Sequence, residues 1–342
     1  MSLGLARAWW DAVREQPCAT RLSPANLAAD LAAVDASLTA LADARAHVLA
    51  CGAPPTRFGL AAASTVPTAP IEWVAVALAV GAEVTLKRPR AEPGLLPTMV
   101  DAAQRVGAPL RLVDTLEEVG ACESAVLLGS DASAAAWVAG SEGVRRLAFG
   151  HRVAAVCVAG EPTAEAAYAI AADLAAADTR GCMSPIAIFL DGPEEAWAEA
   201  LSAAMRQLEA ERPRGAITDA EAVALRTKIA MGRAVGRAID GGRWSVLILP
   251  ARHTPRHALP RQAVVVPWRE EAGPPPVHGL GALAVLGTTF GLRSPRVTAL
   301  GELQRPPLLR HHDGFDHLGW LGQAESAPAR IAVVATDVDT RG

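Results

Sequence analysis

The sequence contains few aromatic residues and no long apolar run, although its hydrophobic content is high. Of its 342 residues, 51% are hydrophobic but only 4% are aromatic, and tyrosine occurs once. No segment approaches the roughly 18 uninterrupted apolar residues of a transmembrane helix. A chain of this length and composition can bury a large core, in two domains or in one large domain. We therefore expect a globular protein without a membrane span.

Signals for secretion, disulfide bonding and nucleic-acid binding are also scarce. Residues 1–16 lack a charged stretch followed by an apolar one, so we predict no secretory signal. Five scattered cysteines, without a Cys-x-x-Cys pair, fit reduced cytoplasmic thiols better than a disulfide framework or a zinc site. The net charge of −4 comes from evenly spread charged residues, which form no basic stripe for nucleic acid.

Strand and helix patterns alternate along the first part of the chain, which predicts an α/β fold with a mostly parallel sheet. We predict strands at residues 58–63, 83–86, 110–113, 125–129, 147–149, 153–158, 186–190, 245–249 and 263–266. We predict helices at residues 25–50, 71–80, 95–106, 132–139, 163–177, 194–211 and 219–239. The regular alternation ends near Arg152, so we divide the chain into domains at residues 1–152 and 153–342.

Cys182 is the leading candidate for a nucleophile. It follows an alanine-rich helical pattern and precedes an apolar strand pattern, with Gly181 and Ser184 beside it. A thiolate attacks carbonyl carbon, so an exposed thiol at such a junction suits covalent catalysis. The alternative is a small buried residue that fills a gap, which is the common fate of a free cysteine.

Two loops are candidates for contacts to a cofactor, although no Gly-x-Gly-x-x-Gly fingerprint follows a strand. Lys87 comes at the end of a predicted strand, and Gly129 and Ser130 come at the end of another. Ligands of open α/β sheets bind at the carboxyl ends of the strands, and helix N-termini bind phosphate. The alternative is that both segments are ordinary surface loops.

Several segments resemble the aldehyde dehydrogenase superfamily, and within it the acyl-CoA reductases related to the fatty-acid reductase of bacterial luminescence. Residues 65–87 resemble the family block that begins Asn-x-Pro and ends in lysine. Residues 129–131 are similar to its Gly-Ser turn, and residues 178–185 to its Cys-x-Ser-Pro segment. The block Gly-Glu-Leu-Gln-Arg-Pro-Pro-Leu at residues 301–308, which continues to Gly314, is similar to the C-terminal signature of the reductases.

The resemblance implies an aldehyde-dehydrogenase-like fold, with a Rossmann-type cofactor domain at 1–152 and a catalytic domain at 153–342 that carries Cys182. Cys182 would take the acyl group from acyl-CoA or an acyl carrier, and a nicotinamide cofactor would then reduce it to an aldehyde. Lys87 would contact the adenosine ribose. Arg90 stands where relatives that prefer NAD carry glutamate, so we predict NADPH, with NADH as the alternative.

Two departures from the family pattern bear on the chemistry. The oxyanion-stabilising asparagine of the family falls at Thr65, whose shorter hydroxyl has to approach more closely than an amide. No glutamate occurs at residues 149–152, where hydrolytic relatives activate water. This absence favours a thioester reductase over an enzyme that makes acids. His151 in the same stretch is a candidate proton donor or thiol partner, or a structural residue.

Two further interpretations stay open. Residues 311–317 hold five potential metal ligands, so a metal-dependent hydrolase is chemically conceivable, although no His-Glu-x-x-His motif accompanies them. A degenerate relative that binds cofactor or a partner subunit without turnover would also explain the missing asparagine. Members of the superfamily form oligomers, so we expect a homo-oligomer or a partner subunit, but no nucleic-acid partner.

Overall fold

A computed structural model describes residues 2–18, 20–62, 65–89, 94–140, 145–251, 253, 256–323 and 330–333. Its α-helices are α1 (Ser2–Arg14), α2 (Pro24–Leu38), α3 (Leu41–Cys51), α4 (Ala69–Val80), α5 (Leu96–Val106), α6 (Leu116–Gly120), α7 (Asp131–Ala139), α8 (Ala164–Ala175), α9 (Glu194–Glu211), α10 (Asp219–Val235) and α11 (His317–Gly322). Short 3-10 turns lie at Ala176–Thr179 and Glu270–Ala272.

The strands alternate with these helices along most of the chain. They are β1 (Arg57–Ala61), β2 (Glu83–Lys87), β3 (Leu110–Val113), β4 (Ser124–Leu128), β5 (Arg145–Phe149), β6 (Val153–Ala159), β7 (Pro185–Asp191), β8 (Arg237–Asp240), β9 (Ser245–Ile248), β10 (Gln262–Pro267), β11 (Leu280–Leu286), β12 (Arg296–Thr298) and β13 (Arg330–Val333). The alternation confirms the predicted mixed α/β fold.

The first compact unit contains the described residues of Met1–Thr20, Leu31–His151 and Pro306–Ala335. In its described part, a parallel sheet runs in the order β13-β5-β4-β1-β2-β3. Helix α4 is apolar on all sides and almost wholly buried, as expected for a helix packed inside a layered fold. It ends at Gly81, whose φ of 95° provides the left-handed cap.

The second compact unit contains Arg21–Asp30 and Arg152–Arg305. Its described sheet runs in the order β12-β11-β6-β7-β10-β9-β8, and its strands are parallel except for the antiparallel pair of β8 and β9. Along β7, Ile188 and Leu190 face one apolar cluster while Ala187 and Phe189 face another. This alternation buries both faces of the sheet, which is typical of parallel strands.

The assignment of cofactor binding to residues 1–152 and of catalysis to residues 153–342 stays a prediction. As compact units, the two parts are interleaved along the sequence. Arg21–Asp30, which includes the start of α2, packs with the second unit, and Pro306–Ala335 returns to the first. Pairing between sequentially distant strands, such as β13 with β5, is the physical reason.

Three predicted helices differ from the structure. The helix expected at residues 163–177 ends at Ala175, because Ala177 leaves the helical conformation with a φ of 46°. The single helix expected at residues 25–50 is broken after Leu38 into α2 and α3, where the Thr39 hydroxyl donates to the carbonyl of Ala36. The helix expected at 219–239 ends at Val235, because Gly236 leaves the helical conformation and the next residues pair with β9 as β8. Helices α1, α6 and α11 and strands β11, β12 and β13 were not predicted from the sequence.

Within the described ranges, no single helix is both long enough and apolar enough to cross a membrane. The bent pair of α2 and α3 meets these criteria of length and composition only when the two helices are taken together.

Gly59 in β1 provides a test of the packing in the first unit. A Cβ atom at this position would lie 2.5 Å from the carbonyl oxygen of Val119 in α6. We expect Gly59→Ala to lower the free energy of unfolding by about 2 kcal/mol, as is usual for overpacking. The control is Gly4→Ala in α1, where a Cβ meets no atom within 4 Å and helix propensity improves. Urea denaturation checks both variants, and equal stabilities would contradict the close contact.

Candidate active site

The strand order of the first sheet contains a topological switch point. Strands β2 and β3 follow on one side of β1, and strands β4 and β5 follow on its other side. The order therefore reverses between β1 and β4, and open α/β sheets bind ligands at such a switch point.

Most of the predicted site residues lie along this edge. Lys87 ends β2, Thr65 follows β1 and is exposed, Gly129 and Ser130 follow β4, and His151 follows β5. The strands are parallel, so their carboxyl ends share one side of the sheet. The described structure therefore brings these five residues to one edge, while Arg90 lies outside the described residues.

The turn after β4 is held by hydrogen bonds of its own residues. The Ser130 hydroxyl caps α7 by accepting the backbone N–H of Ser133 at 3.2 Å. The Asp131 carboxylate accepts the backbone N–H of His151 at 2.7 Å, which ties the ends of β4 and β5 together. The first turn of α7 thus already has a cap and a negative charge. A role of Gly129 and Ser130 in cofactor binding stays a prediction.

Lys87 is half-buried, and its ammonium group donates to the carbonyl oxygen of Arg88 at 2.8 Å. An ammonium group has three N–H donors, so this contact does not exhaust its capacity. Lys87 lies one strand away from β1 and the switch point. A cation and hydrogen-bond donor at this position fits the sugar or phosphate of a dinucleotide.

Cys182 lies in the second unit, on the turn between the 3-10 helix Ala176–Thr179 and β7. All five cysteines are described, and Cys182 alone is exposed. Cys157 shows the contrast, because burial raises the pKa of its thiol to about 12. Exposure distinguishes Cys182 from a gap-filling cysteine and leaves its thiol accessible to a substrate.

The chain adopts an unusual left-handed conformation just before this turn. Helix α8 ends at Ala175, and Ala177, Asp178 and Thr179 have φ values of 46°, 51° and 63°. Each such residue costs about 1–3 kcal/mol when it is not glycine. Three in succession therefore require strong support from neighbouring groups.

A buried ion pair supplies that support. The Asp178 carboxylate, with 0% exposure, accepts Nε of Arg261 at 2.8 Å and the backbone N–H of Gly215 at 3.0 Å. The backbone N–H of Arg261 donates to the Thr179 hydroxyl at 3.1 Å, and this hydroxyl donates to the carbonyl of Leu174 at 2.5 Å. The left-handed run is thereby bound to the residue that precedes β10.

Helix α2 contributes two further contacts from a distant part of the sequence. The side-chain amide of Asn26 donates to the carbonyl of Ala175 at 2.9 Å, and the Asp30 carboxylate accepts the backbone N–H of Ala177 at 3.1 Å. Burial raises the pKa of Asp30 to about 7, although the Ala177 N–H and the charge of Arg212 oppose it.

On the other side of the left-handed run, Arg180 is clamped to α10. Its guanidinium donates to both carboxylate oxygens of Glu221, at 2.9 and 3.3 Å. Burial alone raises the pKa of Glu221, but the hydrogen bonds from Arg180 and Thr218 outweigh it and lower the pKa to about 2. Both sides of the segment that leads to Cys182 are therefore fixed by charged contacts.

The histidine-rich block near the C-terminus packs against aromatic rings. His317 is buried, and its ring centroid lies 4.9 Å from that of Trp73. The ring centroid of His312 lies 4.1 Å from that of Phe149. Asp316 caps α11 by accepting the N–H of Gly319 at 2.8 Å. Among the described residues, no three His, Cys, Asp or Glu side chains are grouped as metal ligands. These contacts give the block a packing role.

The polar residues that hold the Cys182 segment were not identified as functional from the sequence. Asp173 is one of them, and its carboxylate is buried. Burial raises the pKa of this carboxyl to about 7, although the hydrogen bonds from the backbone N–H groups of Gln304 and Gly301 lower it. A signal was present, because Asp173 and Asp178 are the acidic residues of an otherwise apolar, alanine-rich stretch from 166 to 178. Acidic residues on a buried helix face indicate polar partners.

Residues 113–267 match the family model described as "Acyl-CoA reductase (LuxC)". This segment contains Gly129, Ser130, His151 and Cys182, and it ends before the block at 301–314. The predicted resemblance to acyl-CoA reductases is thereby confirmed over this segment. No curated protein sequence matches the chain.

Solved structures with a similar fold are aldehyde dehydrogenases and related enzymes. An aldehyde dehydrogenase from Brucella melitensis biovar abortus 2308 is 14% identical, with 88% of this chain and 77% of that chain covered and a TM-score of 0.68. A succinate-semialdehyde dehydrogenase from Burkholderia pseudomallei is 17% identical, with the same 88% and 77% covered and a TM-score of 0.61. An NADP-dependent enzyme of E. coli is 16% identical, also with 88% and 77% covered and a TM-score of 0.63.

At these identities the structural likeness establishes the fold, so the predicted aldehyde-dehydrogenase-like α/β architecture is confirmed. The fold and the family match together support an aldehyde-related oxidoreductase.

The ion pair of Asp178 and Arg261 generates a prediction about stability. Removing one partner leaves the other charge buried, which costs roughly 3 kcal/mol or more. We expect Asp178→Asn to lower the free energy of unfolding by that amount in urea denaturation. The control is Glu195→Gln, which breaks an exposed pair with Arg237 and should change stability by less than about 1 kcal/mol. Similar decreases in the free energy of unfolding for both variants would show that the buried pair contributes no more to stability than the exposed one.

Proposed function

We propose that this protein reduces an acyl thioester to an aldehyde, with Cys182 as the nucleophile and NADPH as the hydride donor. The observation that carries the proposal is the position of Cys182. It is the exposed cysteine of the five, on a hydrogen-bonded turn, inside the segment that matches acyl-CoA reductases.

The covalent chemistry proceeds at the sulfur of Cys182. The thiolate attacks the carbonyl carbon of the thioester and expels the thiol of coenzyme A or of an acyl carrier, which takes up a proton. The acyl group is then bound to Cys182 as a new thioester. When bound, the nicotinamide supplies a hydride to the carbonyl carbon. The bond between carbon and Cys182 sulfur then breaks, which releases the aldehyde and restores the thiolate.

The stretch that follows β5 carries no acidic residue of its own. A Cβ atom at Gly150 would overlap the carboxylate of Asp131, so this position does not admit a glutamate without rearrangement. Residues 149–152 contain no acidic side chain. A thioester reductase needs no deacylating water, and exclusion of water from its site would protect the acyl-enzyme from hydrolysis. This supports reduction over oxidation of an aldehyde to an acid.

The remaining roles follow the family resemblance. Thr65 donates a hydrogen bond to the carbonyl oxygen in place of asparagine, and His151 is the proposed proton donor or thiol partner. Lys87 holds the adenosine ribose at the carboxyl end of β2. Gly129 and Ser130 would contact the cofactor from the same edge of the sheet, and Arg90 would pair with the 2′-phosphate of NADPH.

The acylation step can be tested without any cofactor. We expect acyl-CoA to leave one hydroxylamine-sensitive acyl adduct on the wild-type protein, measured by intact-protein mass. Cys182→Ala should form no adduct and lose reductase activity by at least about 10³-fold, as for other enzymes that lose their nucleophile. The control variant Cys51→Ala, at a half-buried cysteine, should behave like wild type.

The outcome also separates the alternatives. An adduct from an acyl carrier but not from acyl-CoA would identify the donor as protein-bound. A folded wild-type protein that takes no acyl group from either donor would contradict the reductase proposal, and it would favour the non-catalytic relative that binds a cofactor or a partner subunit.

The cofactor preference is tested at Arg90. A charge-assisted contact is worth about 1.5–3 kcal/mol, so Arg90→Glu should lower the ratio of kcat/KM for NADPH over NADH by about ten- to hundredfold. Arg88→Glu reverses a nearby exposed charge that pairs with Asp114, and it should leave the ratio unchanged. Lys87→Ala should lower kcat/KM for NADPH and for NADH by similar factors. An unaltered ratio in Arg90→Glu would rule out recognition of the 2′-phosphate by this residue.

A further inference from the structure

The turn that carries Cys182 is closed on both sides by Ser184. The backbone N–H of Ser184 donates to the carbonyl of Gly181 at 3.0 Å, and the backbone N–H of Gly181 donates to the Ser184 hydroxyl oxygen at 3.2 Å. Ser184 is buried, with 1% exposure, whereas Cys182 at the tip of the turn is exposed. Any group that fixes the Ser184 hydroxyl therefore also fixes the backbone on which the thiol is carried.

The group that contacts this hydroxyl comes from residue 304. The side-chain amide of Gln304 donates to the Ser184 hydroxyl oxygen at 3.3 Å and to the carbonyl of Asp173 in α8 at 3.3 Å. The two lone pairs of the Ser184 oxygen are then occupied by N–H groups of Gly181 and Gln304. The amide bridges α8 and the thiol turn, which are otherwise joined through the left-handed run.

Gln304 is itself held by its surroundings. The buried Asp173 carboxylate accepts the backbone N–H of Gly301 at 2.9 Å and that of Gln304 at 3.4 Å. The φ of Gly301 is 80°, and a Cβ there would lie 3.1 Å from the Cβ of Ala169 in α8. The loop at 301–304 thus lies close against α8, with the amide aimed at Ser184.

A second contact joins this loop to Met183, the residue directly after Cys182. The Arg296 guanidinium donates to the carbonyls of Glu302 and of Leu303, the latter at 2.8 Å, and lies 3.5 Å from the sulfur of Met183. The loop therefore reaches both residues that follow Cys182, one through Gln304 and one through Arg296. All of these groups belong to the second unit.

We propose that Gln304 is a positioning residue for the nucleophile, acting through Ser184 to hold the Cys182 turn in the geometry that attacks the thioester. This assignment rests on the proposed acyl transfer to Cys182. Asp173 and Arg296 hold the loop that carries the amide. Small displacements of a reacting group lower rates steeply, because attack requires a near-ideal approach of sulfur to carbon.

The test compares acylation with binding. Gln304→Leu keeps the approximate size of the side chain but removes the N–H donor. We expect the limiting rate of Cys182 acylation by acyl-CoA to fall by about ten- to hundredfold. The acyl-CoA concentration at half-saturation should change less than about twofold. Arg305→Gln, which alters an exposed neighbour, is the matched control and should acylate like wild type.

A double-mutant cycle distinguishes action through Ser184 from a general loosening of the loop. Ser184→Ala removes the oxygen that Gln304 contacts, so the double variant of Ser184→Ala with Gln304→Leu should be no slower than Ser184→Ala alone. Ser184→Thr retains the oxygen and should restore most of the rate. Fully additive losses, or a rise in half-saturation without loss of limiting rate, would overturn the positioning role.

The rate of alkylation of Cys182 by iodoacetamide, located by peptide mass spectrometry, keeps the two proposals separate. If wild type acylates and Gln304→Leu acylates equally fast, the positioning role is wrong while the reductase proposal stands. If wild type takes no acyl group, the alkylation rate of Cys182 decides. A several-fold change in Gln304→Leu but not in Arg305→Gln supports positioning, and equal rates overturn it. Unfolding midpoints of the variants confirm that each is folded.

Discussion

The buried ion pair between Asp178 and Arg261 is the interaction on which the Cys182 segment depends. It supplies the buried charged contact to the left-handed run from Ala177 to Thr179, whose backbone strain it helps to offset together with the hydrogen bonds of Asn26, Asp30 and Thr179. With it, the chain leaves α8, reverses over a short distance and enters β7 after presenting an exposed thiol. The pair is fully desolvated, so removing either partner would leave an uncompensated buried charge beside this segment.

The local patterns in the sequence predicted most of the strands of both sheets, because these patterns depend on nearby residues. Helix α9 was predicted at its observed bounds, since its apolar positions recur at helical spacing and acidic residues begin it. The end of α10 was not predictable in the same way. Residues after Gly236 continue an apolar pattern that is compatible with a helix, and only pairing with β9 decides that they form β8. Strands β12 and β13 are short and likewise depend on distant partners.

The candidate site divides along the same line. The positions of Cys182 and of the residues at the carboxyl ends of β1, β2, β4 and β5 could be predicted, because they follow from short motifs and from the rule for parallel sheets, while their roles stay predictions. The groups that support the thiol could not be predicted. Asp178 and Arg261 are 83 positions apart, and Ser184 and Gln304 are 120 apart. A count of metal-binding residue types at 311–317 similarly missed that His312 and His317 pack against aromatic rings.

The interleaved order of the two units has a consequence for synthesis of the chain. Strand β13 covers one edge of β5, yet the whole of Arg152–Arg305 is translated between them. At typical elongation rates this interval lasts about ten to thirty seconds. During that time β5 has no partner on one side, and an open strand edge can pair with other chains. The edge of β5 that β13 later covers therefore stays open to such pairing until β13 leaves the ribosome.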